Sequence, residues 1–237
     1  MRDSLSRRPT WLGATSVHSR DPIMPSLASA TVAMCNTYPH LRFVINLFDE
    51  ANVNAARVVR AQTGSHPSIE GAHVHGMKTL FWKRILTPAF VRERRIEVLW
   101  LVDSDIAMHP SNFPLGTLAG ILRATNATLL QPSIRALVHG THHMFLRVRS
   151  AHMTCVATTA AFVELQTPIF AVEAWESFYS TILGKVSDAD LGDSDYGIDI
   201  VWCAALKAAF PSRPTCLVTP GHPATHLNTH AIEKFMR

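Results

Sequence analysis

The sequence has few cysteines and no apolar run long enough to cross a bilayer. Its 4 cysteines lie far apart and form no Cys-x-x-Cys pair, which indicates neither a zinc ribbon nor a disulfide-dense scaffold. A spanning helix needs about 20 uninterrupted apolar residues, and the longest apolar region, Val156–Val172, is interrupted by Glu164 and Pro168. We therefore expect no membrane span in this chain, and the cysteines leave its redox compartment open.

Concentrated charge of one sign is also missing. The formal net charge is +4 and the pI is near 9.1, but the basic residues are dispersed, apart from the N-terminus and the Arg-Glu-Arg-Arg segment at 92–95. Nucleic-acid-binding domains carry clustered basic patches. We therefore expect no nucleic-acid partner and only a mild preference for anionic ligands such as nucleotides.

The length and composition suit one α/β domain. The chain has 237 residues, of which 47% are hydrophobic, so a sizeable core can be buried. The first residues are rich in serine and arginine and lack the apolar core of a signal peptide. We predict a disordered or poorly ordered N-terminal tail over 1–38 and a folded domain over 39–237.

A short apolar run that ends in two acids is the most informative part of the sequence. Val98–Val102 has the unbroken apolar character of a strand that is covered on both faces of a mostly parallel sheet. Asp103 and Asp105 follow it directly. Ligands of open α/β sheets bind beyond the carboxyl ends of the strands, and side chains two residues apart in extended backbone point the same way. The pair therefore predicts one site for a divalent cation, with a solvated turn as the alternative.

The remaining pattern alternates strands with helices. Leu41–Phe48 is a second apolar strand that runs into an acid, Asp49. Amphipathic spacing predicts further helices, and short apolar runs predict further strands. The predicted helices cover 52–62, 77–86, 115–125, 172–183 and 198–210, and the other strands cover 128–131, 160–165 and 215–219. The fold class is therefore α/β, with a mostly parallel mixed sheet flanked by helices.

The order of several motifs resembles that of the domain of unknown function 707 family. These motifs are the acids at 103 and 105, Leu-Gln-Pro-Ser at 130–133, Ala-Ala-Phe-Val-Glu-Leu at 160–165, Ala-Trp at 174–175, Tyr-Gly-Ile-Asp at 196–199 and a late histidine. The resemblance covers roughly 74–226. The family reads Trp-Asp-Glu-Asp where this chain reads Val-Asp-Ser-Asp, so both outer acids are kept. The family is similar in turn to nucleotide-sugar glycosyltransferases of the GT-A (Rossmann-like) fold.

The resemblance implies a metal-dependent glycosyltransferase that moves a sugar from a nucleotide-diphosphate donor to a carbohydrate or other hydroxyl acceptor. Such a transfer needs a cation to neutralise the departing diphosphate, and oxygen ligands favour Mn²⁺ or Mg²⁺. We predict that Asp103, Asp105 and His226 hold it, with His222 and His230 as rivals to His226. Asp199 is the predicted acceptor base, and Glu164 is expected to contact the acceptor or the sugar.

Further residues are candidates for binding the donor. They are Asp49, Asp103, Gln131, Lys83 and Arg84, of which Lys83 and Arg84 would meet phosphate. Several of these predictions have a plainer structural alternative. Lys83 and Arg84 are equally explained as solvated helix charges, Asp199 as an acid at a helix N-terminus, and Glu164 as a core cap. The resemblance also implies the Golgi or secretory pathway, with an anchor missing from this chain, and otherwise the cytoplasm.

Two other functions fit the same acids. A phosphatase-like hydrolase also places Asp-x-Asp after an apolar strand, but its motif needs a hydroxyl or branched residue where this chain has Ala107. A non-catalytic nucleotide-sugar-binding protein of the same fold is the other alternative. Asp193-Ser-Asp195 repeats the spelling of the motif after a polar loop, which predicts a solvated turn. The histidines at 73, 75, 142 and 143 lack the further ligands of a zinc site.

Overall fold

One mixed sheet of nine strands organises the computed structural model, which describes residues 10–49, 54–136, 155–195 and 197–227. The strands are β1 (Thr10–Val17), β2 (Leu41–Leu47), β3 (Ile69–His73), β4 (Ile96–Leu101), β5 (Ile106–Ala107), β6 (Leu129–Ala136), β7 (Thr158–Thr159), β8 (Ile169–Ala171) and β9 (Cys216–His226). The helices are α1 (Met24–Thr37), α2 (Ala55–Gln62), α3 (Lys78–Ile85), α4 (Pro88–Glu93), α5 (Leu115–Ala124), α6 (Val172–Thr181), α7 (Asp188–Asp193) and α8 (Ile198–Ala209), with a 3₁₀ helix at Leu183–Lys185.

The strand order brings most carboxyl ends to one edge of the sheet. Eight strands run in the order β3-β2-β1-β4-β8-β6-β9-β5, and β7 pairs with β9. The first four are parallel, β8 is antiparallel to both of its neighbours, and β6 is parallel to β9. Because β8 is antiparallel to both β4 and β6, β4 and β6 run in the same direction. The strands β1 to β4, β6 and β9 therefore all end at the same edge. The predicted mostly parallel mixed sheet of an α/β domain is confirmed.

Residues 10–37 form β1 and α1, so the predicted poorly ordered tail is wrong for this part of the chain. Strand β1 lies between β2 and β4, and its Leu12 and Val17 are 1% exposed. Helix α1 buries Leu27 and Met34 against the same core. The pairing partners of β1 are distant in the sequence, and local composition carries no information about them. Residues 1–9 lie outside the described residues.

The segment 160–165 is not the predicted strand. It follows β7 in irregular conformation and crosses to β8. Its Ala160 amide still donates to Cys216 O of β9 at 2.9 Å, but side chains bond later residues: the indole nitrogen of Trp202 donates to the Val163 carbonyl at 2.9 Å, and the Glu164 amide donates to Gln131 Oε1 at 2.9 Å. These bonds satisfy buried backbone groups that a strand would have paired. The other predicted strands and helices are present with shifted ends.

Aromatic contacts and a disulfide join helices α6 and α8 to the sheet. Trp202 of α8 meets Phe170 of β8 edge to face with ring centroids 5.5 Å apart, and Trp175 of α6 meets Phe170 at 5.4 Å. Cys203 of α8 and Cys216 of β9 form a disulfide, which the spacing of the cysteines did not predict. Among the described residues, no helix has the length and apolarity needed to cross a membrane.

Candidate functional site

The acid motif leaves β4 at the shared carboxyl edge of the sheet. The backbone amides after β4 keep bonding to neighbouring elements: Val102 N donates to Ala14 O at 2.9 Å, and Asp103 N donates to Gln166 O at 2.8 Å. A turn follows, in which Ile106 N donates to Asp103 O at 3.2 Å. The two acids are therefore held on ordered backbone where the sequence predicted them.

Asp103 bonds to a lysine that the sequence analysis did not single out. The ammonium of Lys78, the first residue of α3, donates to Asp103 Oδ1. Burial raises the pKa of Asp103 and Lys78 opposes that rise, whereas Asp105 and Asp195 add to it. Burial alone would lower the pKa of Lys78, but Asp103, Asp195 and Asp105 outweigh it and raise the pKa. Lys78 therefore stays an ammonium among several carboxylates.

Asp105 and His226 come together through a strand pair. In the antiparallel pairing of β5 with β9, Ile106 lies opposite His226, and Leu227 N donates to Asp105 O at 2.8 Å. His226 Nε2 lies 3.3 Å from Asp105 Oδ1, with side-chain exposures of 13% and 10%. Of the three candidate histidines, His226 is therefore beside the acid motif, and His230 lies outside the described residues.

The predicted cation ligands match a hard divalent ion in chemistry. Asp103, Asp105 and His226 offer carboxylate oxygens and an imidazole nitrogen, which suit Mn²⁺ or Mg²⁺. A positive group, the Lys78 ammonium, already stands at Asp103. As arranged, the described ranges contain no group of three His, Cys, Asp or Glu side chains close enough to share one ion.

A second polar group surrounds Asp49, two strands along the same edge. Asp49 accepts hydrogen bonds from Ser19 Oγ at 2.6 Å and from the Ser19 amide at 3.1 Å, and His18 Nε2 lies 3.2 Å from its carboxylate. Burial would raise the pKa of Asp49, but the Ser19 hydrogen bonds and His18 together lower it. His73 Nε2 and His75 Nδ1 bond the carbonyls of Asp49 and Phe48, both at 3.0 Å, so these two histidines face backbone oxygens.

Asp199 stands in the first turn of α8, directly after a turn that needs glycine. Gly197 has φ of 93°, which glycine adopts without strain. Burial raises the pKa of Asp199, Glu164 adds to the rise, and Lys78 opposes it. The predicted base, Asp199, therefore lies close enough to Glu164, and to Lys78, the lysine that bonds Asp103, for both charges to affect its pKa.

Gln131 lies beneath the 160–165 segment and not on an open surface. Its side chain is 0% exposed, its Oε1 accepts the Glu164 amide, and its buried Nε2 has no hydrogen-bond partner among the described residues. This position supports the segment that carries Glu164. The predicted contact of Gln131 with the donor stays a prediction.

Lys83 and Arg84 bond to protein groups. Lys83 Nζ donates to Asp188 Oδ1 and to Val186 O, both at 2.6 Å, and Arg84 Nε donates to Asp188 Oδ2 at 3.0 Å. These bonds lower the pKa of Asp188 and join α3 to the start of α7. The arrangement favours the structural alternative to the phosphate contact for both side chains.

Asp195 is the other site residue that sequence reasoning missed. Its Oδ1 accepts the Thr79 hydroxyl at 2.6 Å and the Thr79 amide at 3.1 Å, so it bonds the first turn of α3. The predicted solvated turn is therefore wrong for Asp195, while Asp193 is exposed. The contact joins residues 116 apart in the sequence. The repeated Asp-x-Asp pattern was the only feature of the sequence that pointed to Asp195.

The fold is GT-A-like, because it is similar to the folds of solved GT-A glycosyltransferases. No model of a known protein family matches the sequence, so the resemblance to the domain of unknown function 707 family remains a resemblance. No curated protein gives a significant sequence match.

Several solved structures are similar in fold to this chain. TarS 1–349 of S. aureus in complex with UDP-GlcNAc has a TM-score of 0.61 at 10% identity, over 96% of this chain and 61% of that one. The mannosyltransferase PcManGT of Pyrobaculum calidifontis, with GDP-Man and Mn²⁺, has a TM-score of 0.62 at 12% identity, over 97% and 60%. GalNAc-T7 with UDP, GalNAc and Mn²⁺ has a TM-score of 0.62 at 9% identity, over 94% and 44%. This chain therefore spans between 44% and 61% of the length of these neighbours.

Proposed function

We propose that this protein transfers a sugar from a nucleotide-diphosphate donor to a hydroxyl acceptor. The observation that carries the proposal is the position of Asp103 and Asp105 at the carboxyl edge of a GT-A sheet, with His226 beside Asp105. Three neighbours of the same fold were solved with nucleotides or nucleotide sugars, and two of them with Mn²⁺. Ligands of open α/β sheets bind at this edge.

The donor would lie along the edge between two polar groups. Neighbouring strands are about 5 Å apart, so the ends of β2 and β4, which flank β1, are separated by about 10 Å. We place the nucleoside towards Asp49 and His18, and the diphosphate towards Asp103 and Asp105. The proposal leaves Lys83 and Arg84 out of the donor site because Asp188 already bonds both.

The departing diphosphate carries a charge that must be balanced. Asp103, Asp105 and His226 would hold Mn²⁺ or Mg²⁺ there, and the ion supplies neutralisation of that charge when it is bound. The residues of this chain keep the ligands in place: β5 and β9 bring His226 to Asp105, and the Gln166 carbonyl anchors the backbone of Asp103.

The acceptor hydroxyl would be activated by Asp199. In an inverting transfer the acceptor oxygen bonds the anomeric carbon, the bond to the diphosphate breaks with its electron pair on phosphate oxygen, and the base takes the hydroxyl proton. A carboxylate with a raised pKa is a stronger base, and burial together with Glu164 raises the pKa of Asp199. We propose Asp199 as this base and Glu164 as its electrostatic partner near the acceptor.

The test is metal-dependent binding followed by turnover. A panel of UDP, GDP and their sugar conjugates is screened by thermal shift, with Mn²⁺ or EDTA, on the parent, on Asp105→Asn and on the exposed control Asp193→Asn. We expect a Mn²⁺-dependent shift that Asp105→Asn abolishes and Asp193→Asn keeps. Any donor that binds is then incubated with acceptor mixtures, and released nucleotide and glycosylated product are measured by mass spectrometry.

Two outcomes would replace the proposal. Phosphate release from simple monoesters, without a sugar nucleotide, would identify the phosphatase-like hydrolase. Mn²⁺-dependent nucleotide binding without transfer or donor hydrolysis would identify the non-catalytic binding protein.

We also propose that the chain matures in the secretory pathway. The Cys203–Cys216 disulfide supports this, because such bonds persist in oxidising compartments. Differential alkylation of protein from its natural source, followed by peptide mass spectrometry, is expected to find the pair oxidised. Two free thiols would instead favour the cytoplasm.

A further inference from the structure

The Lys78 ammonium bonds the carboxylate that the proposed cation needs. The side chains of Lys78 and Asp103 are 19% and 21% exposed, so both charges are largely removed from water. A buried charge left alone is costly. The ionised form of Asp103 therefore needs a positive partner, either this ammonium or another cation.

We propose that Lys78 is an exchangeable counter-ion: it bonds Asp103 in the cation-free protein and transfers to Asp195 when a divalent cation binds at Asp103 and Asp105. The inference rests on the proposed function only in assigning those two acids to the cation. It adds a residue that competes with the cation and is released by it.

The charges of Lys78 and the neighbouring carboxylates favour a mechanism in which Lys78 stays in the site and changes partner, over one in which the cation simply takes its place. Lys78 bonds Asp103, and the carboxylates of Asp105 and Asp195 also act on it electrostatically. The sum of the three carboxylates with Lys78 is two negative charges, which one divalent cation balances. A diphosphate approaching Lys78 and the acids alone would meet net negative charge.

Asp195 is placed to receive the ammonium. The amide and hydroxyl of Thr79 bond its Oδ1, and Thr79 is the residue next to Lys78. This fixes the Asp195 carboxylate close to the start of the Lys78 side chain, while both Thr79 bonds use the same oxygen. The flexible four-carbon stem of lysine lets its ammonium change partner by side-chain rotation, so helix α3 need not move.

The test is the affinity of the protein for Mn²⁺ alone, measured by titration with electron paramagnetic resonance of free Mn²⁺ and without nucleotide. Lys78→Met removes the competitor, and we expect Mn²⁺ to bind about tenfold more tightly, a size typical of coupled sites. Lys78→Arg strengthens the competitor through two parallel hydrogen bonds to the carboxylate, and we expect weaker Mn²⁺ binding. Lys185→Met is the exposed control and should bind Mn²⁺ like the parent.

A double-mutant cycle tests the acceptor role of Asp195. Asp195→Asn removes the carboxylate that would receive Lys78, so Mn²⁺ binding should weaken by several-fold, and the loss should largely disappear when Lys78→Met is already present. Asp193→Asn removes a charge from the same segment and should leave the affinity unchanged. An equal loss from Asp195→Asn in both backgrounds would show a direct effect on the ion and would overturn the exchange.

The failures of the two proposals are distinguishable. Unchanged or weaker Mn²⁺ binding in Lys78→Met, with Lys78→Arg no weaker than the parent, overturns the exchange whatever the protein catalyses. The expected Mn²⁺ pattern in a protein that transfers no sugar supports the exchange and rejects the proposed function. Should Lys78→Met fail to fold, as judged by circular dichroism, Lys78→Arg retains the charge and decides by the direction of its effect.

Discussion

The indole N–H of Trp202 donates to the carbonyl oxygen of Val163 at 2.9 Å, one residue before Glu164. Trp202 belongs to α8, the helix whose first turn contains Asp199. One hydrogen bond therefore joins the two segments that present the proposed base and its acidic neighbour.

Replacing Trp202 by Phe should affect stability and transfer together. The Val163 carbonyl would lose its donor in a buried place, at a cost of about 1–3 kcal/mol in the free energy of unfolding. Transfer should slow as well, because the 160–165 segment loses an anchor beside Glu164. Urea denaturation and the transfer rate below the melting range are the measurements.

Trp175→Phe is the matched control. Trp175 is equally buried, and its indole donates to Leu86 O at 2.7 Å, a residue that belongs neither to the 160–165 segment nor to α8. A comparable loss of stability with an unchanged transfer rate is expected. Equal slowing in both variants would assign the effect to general destabilisation.

Asp199 should determine the acid limb of the pH profile. Its folded pKa lies above the ordinary value of 3.8 because of burial and Glu164, and a base works only when ionised. Activity at saturating donor should therefore fall as the pH drops through that raised pKa. Asp199→Asn should lower kcat by about 100-fold or more and remove this limb.

Glu164→Gln tests whether the charge of Glu164 raises the pKa of Asp199. Without the neighbouring negative charge the pKa of Asp199 falls, so the limb should move to lower pH. The pH dependence of kcat in the parent and in Glu164→Gln measures it. A limb that stays in place would mean that a group other than Asp199 titrates.

Asp49 should stabilise the fold in a pH-dependent way. Its folded pKa lies below 3.8 because Ser19 and His18 favour the ionised form. The stabilisation is therefore present above the unfolded pKa and is lost as the pH falls through the lower folded pKa. Asp49→Asn should cost about 1–2 kcal/mol near pH 7 and less at pH 3, as measured by urea denaturation at both pH values. A cost that does not change with pH would reject the ionised Asp49 as the cause.

The Cys203–Cys216 disulfide should contribute to the free energy of unfolding. The two residues are 13 apart in the sequence, and closing a loop of this size stabilises a fold by about 3 kcal/mol. The Cys203→Ala, Cys216→Ala double variant should lose about this much relative to the oxidised parent. Treating the parent with reductant should reproduce the loss and leave the double variant unchanged, and a loss in both would implicate Cys35 or Cys155.

Local patterns predicted most of the fold. Apolar runs such as Val98–Val102 and helical spacing such as that of residues 115–125 are properties of short windows, and the structure confirms them as β4 and α5. Strand β1 was missed because Ser/Arg-rich sequence precedes it and its pairing partners lie elsewhere in the chain. The segment 160–165 was assigned as a strand because of its apolar run, whereas Val163 is its one buried residue and side chains from β6 and α8 bond its backbone.

The candidate site could be predicted from the sequence only where an acidic side chain directly follows a strand or begins a helix. Asp103, Asp105 and Asp49 come straight after strands, and Asp199 opens a helix, so their positions along the chain were informative. Lys78 and Asp195 had no such signal. Their contacts join residues 25 and 116 apart in the sequence, through Asp103 and Thr79 respectively, and only the three-dimensional arrangement reveals them.

The pairing of Ile106 with His226 has a consequence for synthesis on the ribosome. The acid motif is translated between β4 and β5, yet the imidazole that adjoins it is added only with the last residue of β9. A nascent polypeptide therefore lacks His226 beside Asp105 until β9 is made, and premature termination anywhere before residue 226 leaves the acids without that neighbour. The contact between Asp105 and His226 therefore forms only after translation has passed β9.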